Sequence, residues 1–169
     1  MRGRSVEVVE SAGRGGGNAR YSGGFLFDVP GPAGRAAGEA LWDLLDGAVR
    51  ARGIPVPFRT TAERLVLADD GSVTGLAVRE AGRPVTLDAG GGVVLACGGF
   101  EADPGLAETY LPLGPSWPVG HPGNTGAGLW MAQQAGAALW HMYGCFGWFA
   151  FRTPEFPAPF AIDFFGPAT

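Results

Sequence analysis

Thirty of the 169 residues are glycine, against a usual share of about 7%, and no repeating period runs through them. Glycine lacks the Cβ that keeps backbones apart, so clusters of it mark tight turns or close approach to the main chain. Three clusters stand far apart: Gly15-Gly16-Gly17 through Gly23-Gly24, Gly98-Gly99, and Gly126 with Gly128. Any fold for this chain has to account for them, and the first question is which of them form phosphate-binding turns.

Charge narrows the function classes. Twelve basic groups face 16 acidic ones for a net charge of −4, and every basic group is arginine. A mildly acidic chain without a lysine cluster is a poor partner for nucleic acid or an anionic membrane. Without lysine it cannot form a Schiff base of its own. Cys97 and Cys145 make no CxxC and no ligand spacing with His121 or His141, so no metal site is expected. They read as reduced, mostly buried thiols of a cytoplasmic protein. The first ten residues are too polar for a secretory signal, and no apolar run approaches the ~20 residues of a membrane span.

Along the chain, Val6-Glu7-Val8-Val9-Glu10 reads as a strand ending in an acid, followed by the glycine-rich loop. Leu41, Leu44, Leu45, Ala48 and Val49 share one face of an amphipathic helix that Gly53 closes, and 54–58 returns as a strand. Helix then strand is the rhythm of a parallel α/β sheet. Arg64–Leu67 and Val73–Val78 flank the turn Asp69-Asp70-Gly71-Ser72, and 84–87 completes a small antiparallel β-meander. Gly92–Cys97 is continuously apolar, as a fully buried strand is, and ends in Gly98-Gly99-Phe100. A helix follows Asn124-Thr125-Gly126 and runs through Ala137.

Four of these features carry chemistry. A carboxylate at a strand end, Glu10, can accept two hydrogen bonds from a ribose diol. The loop Gly15–Gly24, with Asn18 and Ser22 inside it, can present backbone N–H groups to a polyanion. Gly98-Gly99 at the carboxyl edge of a buried strand leaves room for a ligand. The helix start at Thr125-Gly126-Ala127-Gly128 offers free N–H groups and the positive end of a dipole. Each also has a plain structural reading: a solvated acid, a surface loop, a strand-to-loop turn, and helix capping by Asn124 or Thr125.

Their order is more specific than any one of them. Gly16-Gly17-Asn18-Ala19-Arg20-Tyr21-Ser22-Gly23-Gly24, Ala62-Glu63-Arg64-Leu65, Asp70-Gly71-Ser72-Val73-Thr74-Gly75, Val94-Leu95-Ala96-Cys97-Gly98-Gly99-Phe100-Glu101 and Asn124 to Ala137 together resemble the FAD-binding domain of the fumarate reductase/succinate dehydrogenase flavoprotein family. The likeness is strongest to its soluble branch, which includes tricarballylate dehydrogenase and 3-ketosteroid dehydrogenases, and covers about residues 6 to 140.

The resemblance implies an α/β, Rossmann-like, three-layer FAD/NAD(P)-binding domain over 1–140, with a parallel sheet and a small antiparallel meander, and the start of a substrate-capping domain over 141–169. FAD is the implied cofactor, and a small organic acid or ketone the implied substrate, exchanging hydride with flavin N5 at an activated C–C bond. Glu10 would hold the adenosine ribose, and Gly16, Gly17, Asn18, Ala19, Ser22, Gly23 and Gly24 would line the cofactor. Ala62 would meet the adenine end through its backbone, Ala96, Gly98 and Gly99 would pack on the cofactor, and Thr125, Gly126 and Ala127 would approach the flavin.

Three departures qualify it. No strand and GxGxxG helix precedes Val6, so the first βα unit of the domain is expected to be missing. Ala127 stands where the family's NTGDG motif has aspartate. Catalytic groups are expected beyond Thr169. An aromatic near Trp148 occupies the place of a family histidine, and His141 between Trp140 and Met142 reads as a packed core residue. Without a first strand, apolar strand edges are left exposed. The chain is therefore expected to fold marginally and to hold FAD weakly by itself. The alternative is a non-catalytic truncated domain that associates with a partner chain through that edge.

Overall fold

The computed structural model describes residues 5–21, 37–111, 118, 120–144 and 150–161. In chain order they form α1 (Gly17–Tyr21), α2 (Ala37–Ala51), β1 (Thr60–Leu67), β2 (Val73–Glu80), β3 (Arg83–Asp88), α3 (Pro104–Tyr110), α4 (Ala127–Gln134), β4 (Ala150–Thr153) and β5 (Phe156–Ala161).

Helix α2 carries the apolar stripe predicted for it and stops where the glycine directs. Gly53 N–H donates to Arg50 C=O at 2.9 Å and Ile54 N–H to Val49 C=O at 3.3 Å, the paired bonds of a Schellman cap. It packs on α1. Only part of the stripe is covered: Leu41, Ala48 and Val49 are half-buried, while Leu44 and Leu45 are exposed.

The meander forms as expected, in the order β1-β2-β3 with antiparallel pairing throughout. Leu76 on the central strand faces Leu65 on one side and Leu87 on the other. The first turn is closed by Ala68 N–H on Ser72 C=O and by Ser72 N–H on the Asp70 carboxylate, each at 2.9 Å. One edge of this sheet receives α4, which packs on β1. Val78 on β2 and Met131 on α4 are the most deeply buried side chains of the described residues. The β4–β5 hairpin packs on no other described element.

Among the described residues the expected parallel sheet is present only as a rudiment. Residues 5–10 and 54–57 run in the same direction, with Val8 N–H donating to Pro55 C=O at 3.0 Å and Glu10 N–H to Pro57 C=O at 3.2 Å. A parallel ladder needs return bonds from alternate residues of the second strand. Those residues are Pro55 and Pro57, which have no N–H to give. Neither segment is therefore a strand.

The apolar run Gly92–Cys97 departs further from expectation. It is not a strand, and among the described residues no backbone hydrogen bond reaches 93–97. A strand buried on both faces needs paired neighbours on both sides. Lacking them here, Val94 is 91% exposed, and Cys97, read as a buried thiol, is exposed. Cys145 and Trp148 lie outside the described residues. His141 is likewise no core residue: it is exposed, with Trp140 stacked on it at 4.7 Å and Tyr143 edge-on at 5.8 Å.

Gly75, buried in the central strand, sits where an added Cβ meets the Leu87 carbonyl oxygen at 2.5 Å. Gly75→Ala is expected to lower stability by about 1–3 kcal/mol in urea unfolding. Gly90→Ala, with nothing within 4 Å of the new carbon, should stay within ~0.5 kcal/mol of the parent.

Candidate functional site

Glu10 closes the first extended segment at the point where β1 begins. Thr60 N–H donates to Glu10 C=O at 2.9 Å and Arg59 N–H to Ala12 C=O at 3.0 Å. Ala62 lies two residues further along β1. The Glu10 carboxylate is half-buried. One oxygen, Oε1, accepts from Ala12 N–H at 2.7 Å and from the Ser11 hydroxyl at 3.4 Å. Among the described residues Oε2 accepts no hydrogen bond, which leaves it open to a hydroxyl donor.

The glycine-rich loop is tied down from below. A Cβ on Gly15 would meet the Trp42 indole at 2.6 Å, and one on Gly16 would meet Arg20 at 2.5 Å and Trp42 at 2.9 Å. Those two glycines are needed for packing on α2. Gly17 differs: its φ is +40° and the space beside it is open. The loop's arginines are committed to α2. Arg20 binds Glu39 through Nε at 2.9 Å and Nη2 at 2.6 Å, and Arg14 binds the other carboxylate oxygen at 3.1 Å. The Arg20 hydrogen bond, opposed by desolvation and reinforced by Arg14, holds the Glu39 carboxyl below its usual range. Asn18 is exposed and Ala19 N–H donates to Gly16 C=O at 2.8 Å. Ser22, Gly23 and Gly24 lie outside the described residues.

The third and fourth features meet each other. Gly126 N–H donates to Gly99 C=O at 3.0 Å, and Ala102 N–H to Asn124 C=O at 3.0 Å. The first turn of α4 lies against 95–97, with a Gly128 Cβ position 3.3 Å from the Cys97 Cβ. The acid at position 10 is linked to this region through β1, whose first residue bonds its carbonyl and on which α4 packs. Partial desolvation pushes the Cys97 thiol up, a bond to the Ala96 backbone opposes it, and the Glu10 charge adds to the rise. Ala96, Thr125 and Ala127 are exposed on this edge, whereas Gly126 is buried.

Two readings of the glycines need correction here. Gly98-Gly99 does not leave vacant room. A Cβ on Gly98, whose φ is +80°, would strike the Asn124 side-chain oxygen, and one on Gly99 would strike the Glu101 carboxylate. The chain's own amide and acid fill that space. Nor do Asn124 or Thr125 cap α4: the cap is Gly126, left-handed at φ 79°, with no side-chain hydrogen bond. Asn124 is instead 4% exposed and gives its Nδ2 to Glu101 Oε1 at 2.5 Å.

Two residues on this edge were not among the predicted ones. Glu101 ties Asn124 to Asn18, and Arg59, at a left-handed φ of 55°, lays its guanidinium 3.3 Å from a Gly13 Cβ position. The signal for Glu101 was its place directly after Gly98-Gly99-Phe100; Arg59 left none. A crevice of about 560 Å³ lined by Ser5, Val6, Glu7, Arg52, Gly53, Ile54, Pro55 and Asp88 lies at the other end of the first extended segment from Glu10. It mixes polar and apolar side chains and holds none of the glycine clusters. Among the described residues no group of three His, Cys, Asp or Glu side chains is arranged for a metal ion, and no helix is long and apolar enough to cross a membrane.

Comparison with known proteins adds an independent line. The family model of the FAD binding domain matches residues 1–151. The 3-oxosteroid 1-dehydrogenase of Mycobacterium tuberculosis is 37% identical over 109 residues, 60% of this chain and 19% of that protein. The crystal structure of 3-ketosteroid delta1-dehydrogenase from Sterolibacterium denitrificans, in complex with 1,4-androstadiene-3,17-dione, superposes with a TM-score of 0.68 at 30% identity, covering 75% of this chain and 24% of the other. The open conformation of a flavocytochrome c3 fumarate reductase gives a TM-score of 0.58 at 29% identity, covering 63% and 19%. The chain thus spans about a fifth of the length of the curated relative.

The contrast between glycines is measurable. Gly98→Ala combines a left-handed φ with a collision at Asn124 and is expected to cost about 2–4 kcal/mol in urea unfolding. Gly17→Ala carries the φ penalty alone and is expected to cost about 1 kcal/mol.

Proposed function

This chain belongs to the FAD-binding domain of the fumarate reductase/succinate dehydrogenase flavoprotein family, and from that premise we propose that it supplies the cofactor edge of a flavin-dependent dehydrogenase acting on a cyclic ketone. The cofactor is FAD. Bound, it supplies a hydride acceptor or donor at N5 for an activated C–C bond. The ketone class rests on the relatives, whose names specify 3-oxosteroids and a steroid dione. The small organic acid class of the fumarate reductase branch is the other member of the same reading.

One observation carries the proposal. Four sequence features spread over more than a hundred residues are linked in the fold: Glu10 is bonded to the first residue of β1, on which α4 packs, and the Asn18 loop and Gly98-Gly99 are bonded to the segment that starts α4. The residues present there fit the group. Glu10 has one carboxylate oxygen engaged by Ala12 N–H and Ser11 and the other without a partner among the described residues, which suits a ribose hydroxyl. Gly17 borders open space, so its backbone can be approached by a phosphate or ribityl group. The first turn of α4 keeps its N–H groups free of any side-chain cap, which suits an electron-rich ligand.

On this reading Glu10 and Ala62 hold the adenosine end, and Gly16, Gly17, Asn18, Ala19, Ser22, Gly23 and Gly24 line the middle. Ala96, Gly98, Gly99, Thr125, Gly126 and Ala127 face the flavin end. Ala127 in place of an acid leaves the α4 first turn without a competing negative charge. A boundary near residue 140 separates this part from the start of a capping domain, a division supported by the β4–β5 hairpin, which packs on no other described element.

A second reading has its own support. Val94 is 91% exposed, with Val6 and Val8 also exposed, and extended apolar segments with unpaired backbone recruit further chain. On that reading the chain acts by association with a partner and turns nothing over alone.

Incubating the full chain with FAD and desalting it separates the two. Retained visible flavin absorbance, with affinity reduced about tenfold or more by Glu10→Gln through loss of a charge-assisted hydrogen bond, is the expected result. No retained flavin, with a concentration-dependent elution volume on size exclusion, would favour association instead.

A further inference from the structure

The Glu101 carboxylate sits in a closed ring of hydrogen bonds that joins two of the glycine-bearing loops to the third. Its Oε1 accepts from Asn124 Nδ2 at 2.5 Å and from Asn18 Nδ2 at 3.3 Å. Asn18 Oδ1 accepts from His121 N–H at 2.5 Å, and His121 C=O accepts from Asn124 N–H at 3.1 Å, which returns to Glu101. The orientation of each amide follows from its neighbours. A carboxylate only accepts and a backbone N–H only donates, so Asn18 must turn its nitrogen to Glu101 and its oxygen to His121.

The ring also explains three glycines. The Glu101 carboxylate lies against Gly99, the Asn124 amide oxygen against Gly98, and the Asn18 amide oxygen 2.7 Å from a Gly120 Cβ position. A side chain at any of the three would push one member of the ring away. The backbone beside the ring is fixed in turn, since Gly126 N–H bonds Gly99 C=O.

We propose that Glu101 is a positioning residue of the cofactor edge, its carboxylate clasping Asn18 and Asn124 so that the three loops lining that edge are set in one arrangement before FAD arrives. The proposal rests on the FAD reading above and deepens it. Pre-setting matters because loops ordered only on binding subtract their ordering entropy from affinity. Glutamine at the same position is nearly isosteric and its oxygen can still accept from both amides, but without the charge those bonds are weaker.

The carboxylate is met by Asn18 from the first loop and Asn124 from the third, with His121 bonded to both of them; Asp103, the next acid along the chain, has its own oxygen engaged by Leu106 N–H at 2.8 Å. Arg20, the nearest cation in the first loop by sequence, is bound to Glu39. Partial burial pushes the Glu101 carboxyl up, but the bonds from Asn124, from its own backbone and from Asn18 outweigh it and hold it below the usual range. A carboxyl depressed in the folded state contributes stability that is complete above its unfolded value and is lost as pH falls through its folded value. The clasp is therefore closed at neutral pH and opens only on the acid side.

The test uses the full chain in two measurements. Without FAD, the side-chain amide signals of Asn18 and Asn124 are followed by NMR as pH is lowered. Both should move together through one transition below the ordinary glutamate range, and the transition should vanish in Glu101→Gln. Separate transitions, or none, would overturn the clasp, and this arm needs no variant to fold. With FAD, the affinity of Glu101→Gln at neutral pH should be about tenfold weaker, and the acid-side loss of affinity seen in the parent should flatten. Equal affinity and an unchanged pH profile in a parent that does bind FAD would sink the positioning role alone. A parent that retains no FAD would sink the cofactor reading beneath it.

Discussion

Close approach of loops without side chains between them is the constraint on which this structure turns. Gly98, Gly99 and Gly120 each lie where a Cβ would collide with Asn124, Glu101 or Asn18. Those three polar side chains are joined into one ring. The ring sets the Gly99 carbonyl to accept from Gly126 N–H, and that bond sets the start of α4. From α4 the order passes to β1, on which the helix packs, and from the first residue of β1 to Glu10, through the Thr60 N–H. Hydrogen bonds at a partly buried cluster support one another, and a single missing acceptor would leave donors such as the nearly buried Asn124 amide unpaired.

The same chain is weakly held elsewhere. Its described core consists of a few small or medium side chains, Ala40, Ala77, Val78, Leu106, Ala107 and Met131. The meander is well paired because its turns and registers are local. The parallel part is not, because Pro55 and Pro57 cannot return the bonds that Val8 and Glu10 give. Among the described residues Gly92–Cys97 has no ladder, and Val94, Ala96 and Cys97 are exposed. Local pairing survives with little core behind it, whereas parallel pairing depends on neighbours far away in the chain.

Much of the site was legible from residue type and order. A strand-end acid, an amide inside a glycine-rich loop and paired glycines after an apolar run each suggested contact with a nucleotide. Their sequence along the chain pointed to the family that the comparisons then matched over residues 1–151. Why those glycines are glycines was not legible. Gly15 and Gly16 make way for Trp42, and Gly98 and Gly99 for Asn124 and Glu101, partners 26 or 27 positions distant or brought round by a turn. Asn124 looked like a helix cap because asparagine commonly caps, but a better acceptor for its nitrogen lay across the loop. His141 looked like a core residue from its apolar flanks, yet no described element covers it.

What the residue order determined unaided was what depends on short range: the α2 stop at Gly53, the turn at Asp70 and the three antiparallel strands. Backbone propensity and hydrogen bonding within a few positions are enough for these. Which glycine yields to which side chain, which oxygen of Glu10 stays open and that Glu101 closes a ring between distant loops were decided only in three dimensions. They depend on distances between segments that nothing in their local sequence encodes, and such distances follow from packing as a whole.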